Sequence, residues 1–95
     1  MSNLYYIENR GCDDETLGLV YISDEDFPKF KEFIENLNKN STYACQPTIS
    51  VYKINLDDLR GATDEDKDYS RMYLGDKVYV LKDYSKLLRE GEVII

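Results

Sequence analysis

The densest mixture of reactive groups lies in Asn9-Arg10-Gly11-Cys12-Asp13-Asp14-Glu15-Thr16, which holds a guanidinium, a thiol, three carboxylates and a turn-forming glycine. Asp13, Asp14 and Glu15 are hard oxygen donors suited to a divalent cation. They are contiguous, however, whereas an EF-hand loop places its ligands at alternating positions. A nucleophilic Cys12 would need its thiolate stabilised. Arg10 favours that ionisation and the adjacent carboxylates oppose it. Two readings of the run remain: a solvated, self-capped loop, or a recognition loop in which Arg10, Asp13 and Asp14 contact a partner.

A second run, Asn38-Lys39-Asn40-Ser41-Thr42-Tyr43-Ala44-Cys45-Gln46-Pro47, is rich in amides and hydroxyls that make directional hydrogen bonds. It reads as a helix-to-strand connection whose side chains satisfy backbone groups. The sharper reading makes it one composite site with the Cys12 loop, Tyr43 serving recognition. A third concentration is acidic: Asp57, Asp58, Asp64, Glu65, Asp66 and Asp68. Such a run is ordinarily a solvated face. On a rigid scaffold the same carboxylates steer a basic partner electrostatically, and at the extreme they imitate the phosphates that its Lys and Arg normally hold.

The composition narrows the chemistry further. The 95 residues carry no His, which removes the usual general base near neutral pH, the Cys–His dyad and the commonest transition-metal ligand. No phosphate-binding glycine loop, dinucleotide fingerprint, nucleophile elbow or metalloprotease motif occurs, and nothing singles out a catalytic carboxylate pair. The expectation is a non-enzymatic protein with no cofactor and no metal. A net charge of −7, with Lys and Arg dispersed, lacks the cationic footprint that nucleic acid requires and favours a partner with a basic surface. No apolar stretch reaches membrane-spanning length, and Met1-Ser2-Asn3 opens without a basic region and apolar run, so a cytoplasmic location without a signal peptide is expected. Cys12 and Cys45 are then expected as free thiols, with pairing open if they meet in space. The nine Tyr among 12 aromatic residues suit half-buried sheet faces or a contact surface.

The elements that must position these groups follow from pattern. Leu4-Tyr5-Tyr6-Ile7 and Leu17–Ile22 read as two strands pairing antiparallel across the long Asn9–Thr16 connection. Phe27, Phe30, Ile34 and Leu37 recur at helical spacing, giving a main helix over about 24–39, entered through Ser23 or Asp26 as cap, with Pro28 disturbing its first turn. Thr48–Ile54 alternates as a third strand, with Thr48, Ser50, Tyr52 and Ile54 on one face and Ile49 and Val51 on the other. Thr63 and Asp66 suggest a cap for a short surface helix over about Asp64–Ser70. Arg71–Leu74 and Lys77–Leu81 form a hairpin about Gly75-Asp76. Asp83–Arg89 forms a short helix stopped by Gly91, and Val93-Ile94-Ile95 forms a last strand that docks in the sheet or on a partner.

The chain is therefore expected to be one α+β domain over 1–95, with an antiparallel or mixed sheet of about five to six strands, the main helix on one face and short helices on the surface. The runs Tyr5-Tyr6-Ile7, Asn9–Thr16 and Asn36–Tyr43 resemble small uncharacterised acidic proteins of Gram-positive bacteria and their phages. That resemblance implies a context in which small acidic proteins block or regulate a host protein, and it implies no site residues. The function expected is binding and regulation of a macromolecular partner. Arg10, Asp13, Asp14 and Tyr43 would serve recognition, and Asp64, Glu65, Asp66 and Asp68 steering. Two alternatives are a small-ligand binder that sequesters an anionic nucleotide through Arg10, the loop amides and stacking Tyr side chains, and a homo-oligomer subunit joined through the C-terminal strand.

Overall fold

A computed structural model describes residues 1–9, 15–39 and 49–95. Strand β1 (Ser2–Asn9) pairs antiparallel with β2 (Glu15–Ser23) and with β3 (Ile49–Ile54), and the chain's end adds β7 (Glu92–Val93) beyond β3. The order of this four-stranded sheet is β2-β1-β3-β7. A second, three-stranded sheet has the order β4-β6-β5, from β4 (Leu59–Gly61), β5 (Met72–Leu74) and β6 (Lys77–Leu81). The α+β class with one main helix agrees with the sequence, whereas the single sheet of five to six strands is corrected to two antiparallel sheets of four and three strands.

The correction has a physical cause visible in β1. Leu4 and Tyr6 point to one face of the larger sheet and Tyr5 to the other, and all three are buried. A strand apolar on both faces needs a covering layer on each. Helix α1 (Phe27–Lys39) covers one: Phe27, Phe30 and Ile34 pack with Tyr5, Ile22 and Val51. The smaller sheet covers the other. Its Leu59 and Met72 join Leu4, Tyr6, Tyr52 and Ile54, together with Leu87 of helix α2 (Tyr84–Glu90). Strand β5 runs beside β2, so the two sheets approach each other along that side.

Local chemistry sets the element boundaries. Helix α1 begins at Phe27, three residues later than expected, because Ser23–Asp26 forms a turn in which Asp26 N–H reaches the Ser23 hydroxyl. The Asp26 carbonyl accepts the bond from Phe30 N, so Asp26 is the cap and Pro28 falls within the first turn, where no donor is required. The expected helix over Asp64–Ser70 is instead a turn at Thr63–Asp66 followed by one 3₁₀ turn at Asp68–Ser70, since this segment lacks an apolar face to hold a longer helix. The β5–β6 hairpin matches its expectation. Leu74 pairs with Lys77, and Gly75 supplies the positive φ at the first central position. Asp83 caps α2 through Lys86 N–H. Gly91 closes the helix where a Cβ would lie 2.4 Å from the Leu87 carbonyl oxygen. The terminal residues dock on their own sheet: Ile94 N–H donates to the Val51 carbonyl, and Ile94 and Ile95 pack toward the α1 layer.

Candidate functional site

Three polar arrangements interrupt this apolar framework. The first is a carboxyl group inside it. Glu8 is only 4% exposed. It lies two residues beyond Tyr6 on the same face of β1, and its Oε2 accepts the Tyr6 hydroxyl at 3.0 Å and the Tyr84 hydroxyl at 2.7 Å. The Tyr6 ring tilts against Tyr52, its cross-strand neighbour, with centroids 6.1 Å apart. A buried carboxyl group needs donors in place of its water, and two phenols from different parts of the chain supply them at Oε2. Beside it the pairing of β1 with β2 shifts by one residue between Ile7 and Glu8, where Gly18 has φ +130. That irregularity puts one extra residue in β2 opposite the Ile7–Glu8 step, and the pairing resumes to Asn9 and Glu15.

Glu8 also marks the end of the sheet from which the two polar runs depart. Asn9 pairs with both Glu15 and Ile49. Asn38 in the last turn of α1 clasps Ile49, accepting its N–H at 2.8 Å and donating to its carbonyl at 3.0 Å. The described residues that flank the Cys12 run and the Cys45 run are thus brought together at one end of the larger sheet. Arg10, Cys12, Asp13, Asp14, Tyr43 and Cys45 themselves lie outside the described residues.

The second arrangement is the acidic turn after β4. Asp66 receives both ends of the Arg60 guanidinium, Nη2 at 2.7 Å and Nη1 at 3.0 Å, and also accepts the Thr63 backbone N–H at 2.7 Å. These donors, the guanidinium first, hold its carboxyl well below the usual carboxylate range, and the same contact raises Arg60 above its ordinary value. Arg71 Nη2 donates to the Thr63 carbonyl at 2.8 Å, tying the turn to the start of β5. Asp66 is therefore occupied within the molecule. Asp64, Glu65 and Asp68, the other expected steering groups, are exposed. Next to them Tyr69 is 81% and Tyr73 65% exposed, beyond what sheet packing requires of a Tyr.

The third is an open cleft of about 330 Å³ beside α2, lined by Lys53, Lys82 and Lys86 with Asn55, Asp57 and Glu92 among its polar groups. Asp58 and Asp83 on its wall are engaged with the backbone N–H groups of Asn55 and Lys86. Among the described residues no three His, Cys, Asp or Glu side chains are placed to hold a metal ion. No described helix is long and apolar enough to cross a membrane.

Sequence reasoning passed over Glu8 and Tyr84. One signal was available: Tyr6-Ile7-Glu8 continues the alternation of a strand, so Glu8 stands on the inward face of β1. Nothing in the sequence pointed to Tyr84, which is 76 positions away. Comparison with protein-family models, with characterised proteins and with solved structures finds no match to this chain.

Proposed function

We propose that this protein is a non-enzymatic acidic binding protein that inhibits or regulates a macromolecular partner with a basic surface, in the manner of a phage or mobile-element protein acting on a host protein. The observation that carries this reading is the surface of the Thr63–Tyr73 segment. Asp64, Glu65 and Asp68 face solvent alongside the exposed rings of Tyr69 and Tyr73. The Arg60–Asp66 pair and the Arg71–Thr63 bond hold the turn in one shape. Fixed carboxylates accelerate encounter with Lys and Arg, and exposed Tyr rings supply contact area at low entropic cost. In this reading Asp66 positions the turn rather than touching the partner. Arg10, Asp13, Asp14 and Tyr43 remain as proposed recognition residues.

The test compares capture from native lysates by the wild-type chain and by an Asp64→Asn/Glu65→Gln/Asp68→Asn variant. A partner retained by the wild type, weakened by salt and lost by the variant supports the reading. Recovery of no such partner at low salt, across several hosts, counts against it.

A small anionic ligand is the second reading, favoured by the cleft in which Lys53, Lys82 and Lys86 converge from β3, the β6–α2 connection and α2. It ranks second because the same wall carries Asp57, Asp58, Asp83, Glu90 and Glu92. A nucleotide thermal-shift screen separates the two, since a bound ligand raises the melting temperature by mass action.

A further inference from the structure

The residues after β6 are attached differently from the rest of the molecule. Lys82 N–H is fixed to the Asp58 carbonyl at 3.0 Å, and beyond it Asp83–Ile95 runs as α2, Gly91 and β7 without a break. In α2 Leu87 is the buried residue, while Tyr84 and Leu88 are about two-fifths exposed. Strand β7 pairs two residues, Glu92 and Val93, at the edge of the larger sheet. Sparse buried contacts and a short edge pairing are the marks of a segment that opens below the global unfolding free energy. Against that background the contact from Tyr84 to Glu8 stands out. It joins the first turn of α2 to the far end of β1, and its acceptor is a carboxyl group inside the protein.

We propose that Asp83–Ile95 is a detachable strap whose latch is the hydrogen bond from the Tyr84 hydroxyl to Glu8. Helix α2 and strand β7 leave and re-dock as one unit, because Gly91 alone joins them and each holds only part of the anchoring. Release uncovers Glu8 on one side. On the other it strips the outer edge of β3 of the two residues paired there, Glu92 and Val93.

Native-state hydrogen exchange on the full chain tests this directly. The reporters are the amides of Leu87, Gly91 and Ile94, which donate to Asp83, Leu87 and Val51 carbonyls respectively. In the wild type all three share one opening free energy, lower than that of the Tyr5 and Tyr6 amides in β1. Tyr84→Phe, which removes the hydroxyl alone, speeds the three reporters about tenfold, as expected for one hydrogen bond to a buried carboxyl group, and preserves their gap from the β1 amides, because the bond is absent from the opened strap and from the unfolded chain alike. Ile94→Pro breaks the other end of the strap and speeds Leu87 and Gly91 together. The proposal is overturned if the reporters exchange only with global unfolding, if they respond independently of one another, or if Tyr84→Phe leaves them unchanged.

Discussion

Tyr5 and Tyr6 are adjacent, identical in type and equally buried, yet they serve opposite layers. Tyr5 stacks on Phe27 with ring centroids 5.3 Å apart and leans on Phe30, so its layer uses it as a hydrocarbon. Tyr6 turns to the other face, where its ring packs in the core and its hydroxyl serves Glu8. The α1 layer is built of apolar side chains around the Tyr5 ring. The layer between the sheets carries a polar knot of Tyr6, Glu8 and Tyr84. The difference teaches that burial alone does not define what a residue contributes. An apolar layer is held by shape and area, whereas a polar knot is held by the directional hydrogen bonds among its groups.

The comparison can be broken at either end. In the α1 layer, Ile34→Ala leaves a cavity beneath the helix and lowers stability by about 2–5 kcal/mol in urea denaturation. In the knot, Tyr6→Phe keeps the ring and removes one donor from the Glu8 carboxyl group, costing about 1–3 kcal/mol. Tyr5→Phe, the matched change on the α1 side, costs less than about 0.5 kcal/mol, and equal losses at the two tyrosines would erase the distinction.

The smallest effect belongs to a polar cluster at the surface. The Asp66 carboxyl is lowered by Arg60 and by Thr63 N–H, so its pKa in the folded chain lies below its unfolded value. Its contribution is then present above the unfolded value of about 4 and is lost only as pH falls through the much lower folded one. In an NMR titration the Thr63 amide should keep its shift at pH about 4, where ordinary carboxylates are half protonated. Asp66→Asn should move that amide at neutral pH, with a modest change in global stability because the Arg60 end of the pair is half-exposed to solvent.

Sequence patterns exposed the local elements well and their assembly poorly. The period of Phe27, Phe30 and Ile34, the Gly75-Asp76 turn and the Gly91 stop each depend on atoms within a few residues, so they were readable before any partner surface was known. The three-residue β4 was missed because Leu59-Arg60-Gly61 has no alternation long enough to announce a strand, and its identity comes from pairing with β6. Leu4-Tyr5-Tyr6-Ile7 did contain a clue to the second layer. A run apolar without alternation belongs to a strand covered on both sides, and that clue argued against one sheet with a single helix cover.

For the candidate site, the acidic segment and its charge were determined by the sequence itself, as was the absence of imidazole from the whole chain. That Asp66 is consumed by Arg60 while Asp64, Glu65 and Asp68 stay outward was decided by the turn they share. Only tertiary structure could bring Tyr84 to Glu8, because a hydrogen bond across 76 positions exists only after both sheets have packed. Helix periods and turn glycines act through neighbours along the chain. A buried carboxyl group finds its donors through whichever faces meet, and no local pattern encodes that encounter.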